Sequence, residues 1–134
     1  MKVITFGVFD LLHIGHILLF QHIKELAEDV HLVVAVQDDD TIKKYKPQAE
    51  IVNNLQQRMY MVGALRFVDE VVVYSDVDRD ITTFDFDVFA KGPDQNHAGF
   101  QAATKWCEAN GKKVVTIPRT EGISSTILRK SYLK

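Results

Sequence analysis

The sequence predicts one α/β domain built on a parallel sheet with helices on both faces. Short β-branched runs alternate along the chain with stretches whose apolar residues recur at helical spacing, the pattern of parallel strands joined by right-handed crossovers. The 134 residues, 46% hydrophobic and 25% charged, suffice for one real core and are too few for two ordinary domains. No repeat, linker or low-complexity tract interrupts them, so residues 1–134 are expected to form a single domain.

Residues 2–6 (KVITF) read as a buried first strand ended by Gly7, and Leu19, Phe20, Ile23, Leu26 and Ala27 fall on one stripe of a helix. Residues 31–36 (HLVVAV) read as the second strand. The polar stretch 37–54, which contains Pro47, reads as a long connection, and connections of that length are often functional. Met59, Val62, Leu65 and Phe67 predict a helix from Leu55, with Met59 and Met61 as core filler. Strands follow at 70–73 with Tyr74, at 86–90 (FDVFA) and at 113–117; a helix fills 98–110 before Gly111, and a last helix starts near Ser124.

The formal net charge of −2 gives no electrostatic reason to expect a nucleic-acid partner. The single Cys107 excludes an intrachain disulfide and a cysteine-based zinc site, suits a reducing compartment, and falls inside a helix where buried packing is expected. There is no signal-peptide pattern and no apolar run near membrane-span length. A cytoplasmic protein with no membrane association is the expectation.

Chemistry concentrates at the two ends of the chain. Gly7-Val8-Phe9-Asp10 follows the first strand, and His13-Ile14-Gly15-His16 opens the first helix. Two imidazoles on one face of a helix start lie beside backbone N–H groups without intrahelical partners, at the positive end of the helix dipole. Gly15 lets a ligand approach the main chain. A lone histidine there is more often a cap or surface residue; the strand, tight loop, helix and strand around this pair instead place it at the carboxyl end of a strand, where open parallel sheets bind ligands. Near the other end, Arg119-Thr120-Glu121-Gly122-Ile123-Ser124-Ser125-Thr126 leads into the last expected helix.

These two motifs in this order, with Arg66-Phe67-Val68-Asp69-Glu70-Val71 between them, resemble the cytidylyltransferase family of the H-x-G-H nucleotidyltransferase superfamily, whose glycerol-3-phosphate members are similar in length. The resemblance spans nearly the whole chain. It implies a Rossmann-like nucleotidyltransferase fold of five parallel strands in the order 3-2-1-4-5, and a homodimer. It also implies transfer of CMP from CTP, with Mg2+ accompanying the nucleotide, to a small phosphate monoester in cell-surface polysaccharide synthesis of the capsule or teichoic-acid type.

By the same resemblance, His13, His16, Lys46 and Arg119 are the expected catalytic residues. Val8, Phe9, Asp10, Gly15, Arg66, Asp94 and the whole run Thr120, Glu121, Gly122, Ile123, Ser124, Ser125 and Thr126 are expected on the nucleotide, with Arg129 completing the C-terminal pattern. Lys44, Arg58, Lys91 and Gln95 are expected on the acceptor, and Arg58 and Arg66 roughly on one helical face. Lys43 reads as a solvated neighbour. Asp10 is open to two readings, one orienting a basic group or helping hold magnesium, the other capping the loop. No metal ligand is assigned.

The departures bear on the acceptor. Val8 stands where the glycerol-3-phosphate branch has a hydroxyl residue, 75–80 (SDVDRD) lacks its tryptophan and downstream lysine, and Lys91-Gly92-Pro93-Asp94-Gln95 replaces its Gly-Asp-Asp-Trp segment. Glycerol 3-phosphate and a phosphorylated amino-acid-like compound are therefore both carried forward as acceptors. An adenylyltransferase of the same superfamily and a non-catalytic nucleotide-binding module are the alternatives.

Overall fold

The computed structural model describes residues 1–118. The expected last helix and the C-terminal motif from Arg119 to Thr126, with Arg129, lie outside the described residues.

Strands β1 (Lys2–Gly7), β2 (His31–Gln37), β3 (Glu70–Tyr74), β4 (Val88–Lys91) and β5 (Lys113–Thr116) form one sheet in the order β3-β2-β1-β4-β5. All four pairings are parallel, with Thr5 opposite Val34 and Ile4 opposite Phe89. Strand alternation divides the core in two. On one face Val3, Leu32, Val34 and Val88 pack with Phe20 and Ile23 of α1 (Ile14–Lys24) and with Val62 of the helix at Leu55–Gly63. On the other, Ile4, Phe6, Val33 and Phe89 pack with Phe100, Ala103 and Cys107 of the helix at Ala98–Ala109. Cys107 is fully buried, as its place in that helix predicted.

The order reverses between β1 and β4. The carboxyl ends of these two strands are where open parallel sheets bind ligands, and the loop that carries the histidines leaves β1 there.

Three local expectations are corrected and one segment is added. The stretch 37–54 is not all loop, because α2 (Asp39–Tyr45) occupies its first half and α3 (Leu55–Gly63) follows it. Its charges explain why: Asp39 and Asp40 sit in the first turn, Lys43 and Lys44 in the last, and Asp38 caps it by accepting from Thr41 N–H at 2.7 Å. Helix α1 ends at Lys24, whose ammonium donates to Val30 C=O and Asp69, so Leu26 falls beyond it and is 39% exposed. Strand β4 starts at Val88 instead of Phe86, although Phe86 is buried below α5 (Ala98–Ala109). Between β3 and β4, α4 (Val77–Asp80) and a single 3-10 turn (Ile81–Thr83) bury Val77 and Ile81, which the sequence reading left unassigned.

Candidate active site

His13 is the N-cap of α1. Its Nδ1 accepts from Gly15 N–H at 3.0 Å, while its own N–H donates to Nδ1 of His16 at 3.2 Å. A ring nitrogen that accepts an N–H carries no proton, so each ring in its neutral form holds the proton on Nε2. The rings stack with centroids 4.0 Å apart and planes 29° apart. Burial, and secondarily the neighbouring His13, pushes the pKa of His16 down to about 4. At neutral pH His16 is therefore an uncharged hydrogen-bond donor.

The loop beneath them is held under strain. Phe9 has φ of 54°, a left-handed conformation costing a bulky residue about 1–2 kcal/mol, and its ring is 6% exposed, edge-on to His16 and tilted on Phe20. Burial of a phenylalanine is worth roughly 1.5–3 kcal/mol, which offsets the strain. Gly7 is required below that ring, since a Cβ there would stand 2.6 Å from Phe9 Cζ. The Phe9 ring is thus a core group, and only its main chain faces the loop.

Asp10 reaches across the carboxyl end of the sheet. Its carboxylate accepts from Val52 and Asn53 N–H at 2.9 and 2.8 Å, and its carbonyl accepts from Asn53 Nδ2 at 2.7 Å. Arg58 of α3 is fully buried and donates to Val8 C=O, Gln37 C=O, Asn53 C=O and Asp39. Neither Asn53 nor Asp39 was singled out from the sequence. The usable signal was the Asn54-x-x-Gln57 capping box, which fixes where α3 starts and so which residues precede it.

Lys44 is in the last turn of α2 and Lys46 is its C-cap, both exposed, with the Lys44 ammonium 5.4 Å from the centre of the Tyr45 ring. Tyr45 OH donates to Asp76 after β3, and Ser75 Oγ donates to Asp38, so the lysine helix is tied to the 75–80 segment. Asp38, Asp76 and Asp80 surround that junction, and Arg79 pairs with Asp76 and Asp80. On the other side of β1, Gln95 Nε2 donates to Phe6 C=O at 2.7 Å and its Oε1 accepts from Gly92 N–H, so the side chain fastens the β4–α5 loop to β1. Lys91 turns along α5 to Thr104 Oγ1, and exposed Asp94 lies in the loop. His97 caps α5 through Nδ1 and Gly99 N–H, repeating the His-x-Gly device of α1.

Thus Val8, Phe9, Asp10, His13, Gly15, His16, Lys44, Lys46, Arg58, Lys91, Asp94 and Gln95 all belong to segments at the carboxyl end of the sheet. Arg66 does not. Helix α3 ends at Gly63, so Arg66 lies in the α3–β3 connection at the amino end of β3, stacked on Phe67 with its guanidinium carbon 5.0 Å from the ring centre. Asp69 marks that end by accepting from Leu32 N–H at the start of β2. The shared helical face expected of Arg58 and Arg66 is corrected accordingly.

Among the described residues no group of three or more His, Cys, Asp and Glu side chains could hold a metal ion, and no helix is long and apolar enough to cross a membrane.

A reversing parallel sheet with paired imidazoles at a helix start is a nucleotidyltransferase-like α/β fold. Residues 4–131 match the model of the family described as cytidylyltransferase-like. Over 131 residues the chain is 37% identical to glycerol-3-phosphate cytidylyltransferase of Bacillus subtilis (strain 168), covering 96% of this chain and 94% of that protein. It is 35% identical over 133 residues to the bifunctional protein HldE of Coxiella burnetii (strain RSA 493 / Nine Mile phase I), where it spans 98% of its own length and 27% of the relative's. Among solved structures, the lipopolysaccharide core biosynthesis protein of Thermoplasma volcanium GSS1 superposes with a TM-score of 0.75 at 25% identity, over 90% of this chain and 98% of that one. The chain belongs to the cytidylyltransferase-like family and is a CTP-dependent nucleotidyltransferase.

Proposed function

We propose that the protein transfers CMP from CTP to a small phosphate monoester for cell-surface polysaccharide synthesis. The observation that carries the reading is the stacked His13–His16 pair, whose two Nε2–H donors are fixed by backbone hydrogen bonds at the start of α1. In the reaction a phosphate oxygen of the acceptor bonds to the α-phosphorus of CTP, and the bond from that phosphorus to the pyrophosphate oxygen breaks with its electron pair. No proton need move between protein and nucleotide. The catalytic demand is alignment and stabilisation of charge on oxygen. Uncharged His16 meets it by donating one hydrogen bond, while Lys44 and Lys46 on the end of α2 supply flexible ammonium groups for phosphate.

Magnesium is part of the proposal only as a companion of the nucleotide. Both Asp10 oxygens accept backbone N–H groups, and the described residues offer no cluster for a cation, so its ligands would be triphosphate oxygens and water.

The acceptor is read from the segment after β3. Where the glycerol-3-phosphate branch has tryptophan and lysine, this chain has Asp76, Asp78 and Asp80 around Arg79, which pairs with Asp76 and Asp80, a segment that stays net acidic, with Asp76 also bonded to Tyr45 beside Lys44 and Lys46. An acidic wall next to lysines favours an acceptor that carries an ammonium group as well as a phosphate, hence a phosphorylated amino-acid-like compound. Glycerol 3-phosphate is the second reading, favoured by the full-length relative. Steady-state kinetics with both compounds decide: the amino-acid-like phosphate is expected to be preferred. A kcat/KM for glycerol 3-phosphate of about 10⁴ M⁻¹s⁻¹ or more, above that for phosphoserine or phosphorylated amides, would overturn the preference.

A further inference from the structure

We infer that Arg58 is a positioning residue that sets the histidine loop against the lysine helix, and that it does not bind the acceptor. The inference rests on the histidine pair being the reacting site. Arg58 is 0% exposed, and four of its five N–H donors are committed inside the protein: Nε to Asn53 C=O at 3.0 Å, Nη1 to Val8 C=O at 2.8 Å and Gln37 C=O at 2.9 Å, and Nη2 to the Asp39 carboxylate. The acceptors come from separate pieces of chain. Val8 opens the loop that runs through Phe9 to His13, Gln37 ends β2, Asp39 begins α2, and Asn53 leads into α3.

Asp10 closes the ring of contacts. Its carboxylate takes Asn53 N–H, so the Asn53 peptide is gripped from both sides, by Asp10 at its own N–H and by Arg58 at its carbonyl. The histidine loop is thereby fixed to the 52–53 segment at Val8 through the guanidinium and at Asp10 directly. Asp39 carries the same joint into the helix bearing Lys44 and Lys46, and its second oxygen accepts from Leu55 N–H at 3.1 Å. Only a planar fork of donors can satisfy three carbonyls and a carboxylate at once. A lysine keeps the charge but lacks the geometry, and a methionine leaves Asp39 without its counter-ion and the carbonyls without donors.

The test uses the full chain with R58K, R58M and D39N, each checked for folding by circular dichroism. Misplacement of reacting groups by a fraction of an ångström to one ångström costs up to about a hundred-fold in rate. R58K and R58M are therefore expected to lose on the order of ten- to a hundred-fold in kcat, with KM for CTP and for the acceptor changed by less than about three-fold. D39N, whose single amide oxygen can meet the Arg58 Nη2–H or the Leu55 N–H but not both, is expected to lower kcat as well, and R58K/D39N is expected to lose less than the product of the single losses. Nitrogen-15 spectra of the imidazoles supply a readout without turnover: the Nε2–H form of His16 in the wild type should give way in R58K to a mixture of tautomers or a raised pKa. Wild-type kcat with wild-type imidazole signals in a folded R58K or R58M overturns the inference, and so does a ten-fold rise in acceptor KM at unchanged kcat. Should both Arg58 variants fail to fold, D39N decides by the same two readouts. If the wild type releases no pyrophosphate with any acceptor, the CMP-transfer reading falls, and the imidazole spectra alone decide whether Arg58 sets the loop.

Discussion

Lowering the pH from 7.5 to 5.0 perturbs His16 in a way that can be worked out from its surroundings. Buried beside His13, the ring binds a proton at about 4 in the folded protein, against 6.5 in its absence. The unfolded chain therefore takes up the proton first on acidification. The stability due to a neutral His16 is complete above pH 6.5, declines as the pH falls toward 4, and is flat below. At pH 5.0 the ring is almost wholly protonated unfolded and almost wholly neutral folded, which costs ~2 kcal/mol relative to pH 7.5. Asp38, Asp69 and Asp80 do not confound the window. Burial alone would raise them, but hydrogen bonds, first from Ser75, Lys24 and Arg79 respectively, hold each below 3.8, so their stabilisation is lost only at lower pH. The control is His16→Asn, whose Oδ1 occupies the place of the imidazole Nδ1 and still accepts His13 N–H. Urea unfolding of both proteins at pH 7.5, 6.0 and 5.0 should show the wild type losing ~2 kcal/mol more than the variant. Parallel pH dependences would refute the burial and neutrality assigned to His16.

The same His16→Asn variant is expected to lose about two to four orders of magnitude in kcat, with a smaller change in CTP affinity by titration calorimetry, since a donor aimed at transition-state charge acts mainly on kcat; an unchanged kcat contradicts this. Gly7→Ala should force the Phe9 ring off its seat, costing about 1–3 kcal/mol, because the new Cβ would stand 2.6 Å from Phe9 Cζ. A melting temperature equal to that of the wild type would contradict the packing.

The layered fold was legible because the strands are short β-branched runs and the longer helices carry an apolar stripe, so the succession of elements along the chain and the parallel direction of the strands follow from periodicity and crossover handedness. The strand order itself needed the resemblance to the family. Helix α2 escaped notice since it is seven residues long and buries only Ile42, giving periodicity nothing to register, although its flanking charges announced it. The histidine pair was legible from its place after β1. The bonds of Arg58 to Val8, of Asp10 to Asn53 and of Gln95 to Phe6 were not, because each joins residues more than 40 positions apart, a closeness that only the completed sheet creates. Arg66 illustrates the opposite failure: helical spacing extended past Gly63 placed it on a face that the end of α3 removes.

Pyrophosphate release by the purified protein, with CTP and ATP each offered beside a panel of phosphate monoesters, tests the proposed chemistry most directly. The account predicts release with CTP in the presence of at least one monoester, far faster than with ATP, and formation of the matching CDP-linked product. Comparable turnover with ATP would favour adenylyl transfer, and tight CTP binding without release across the panel would favour a nucleotide-binding module; either result contradicts the account.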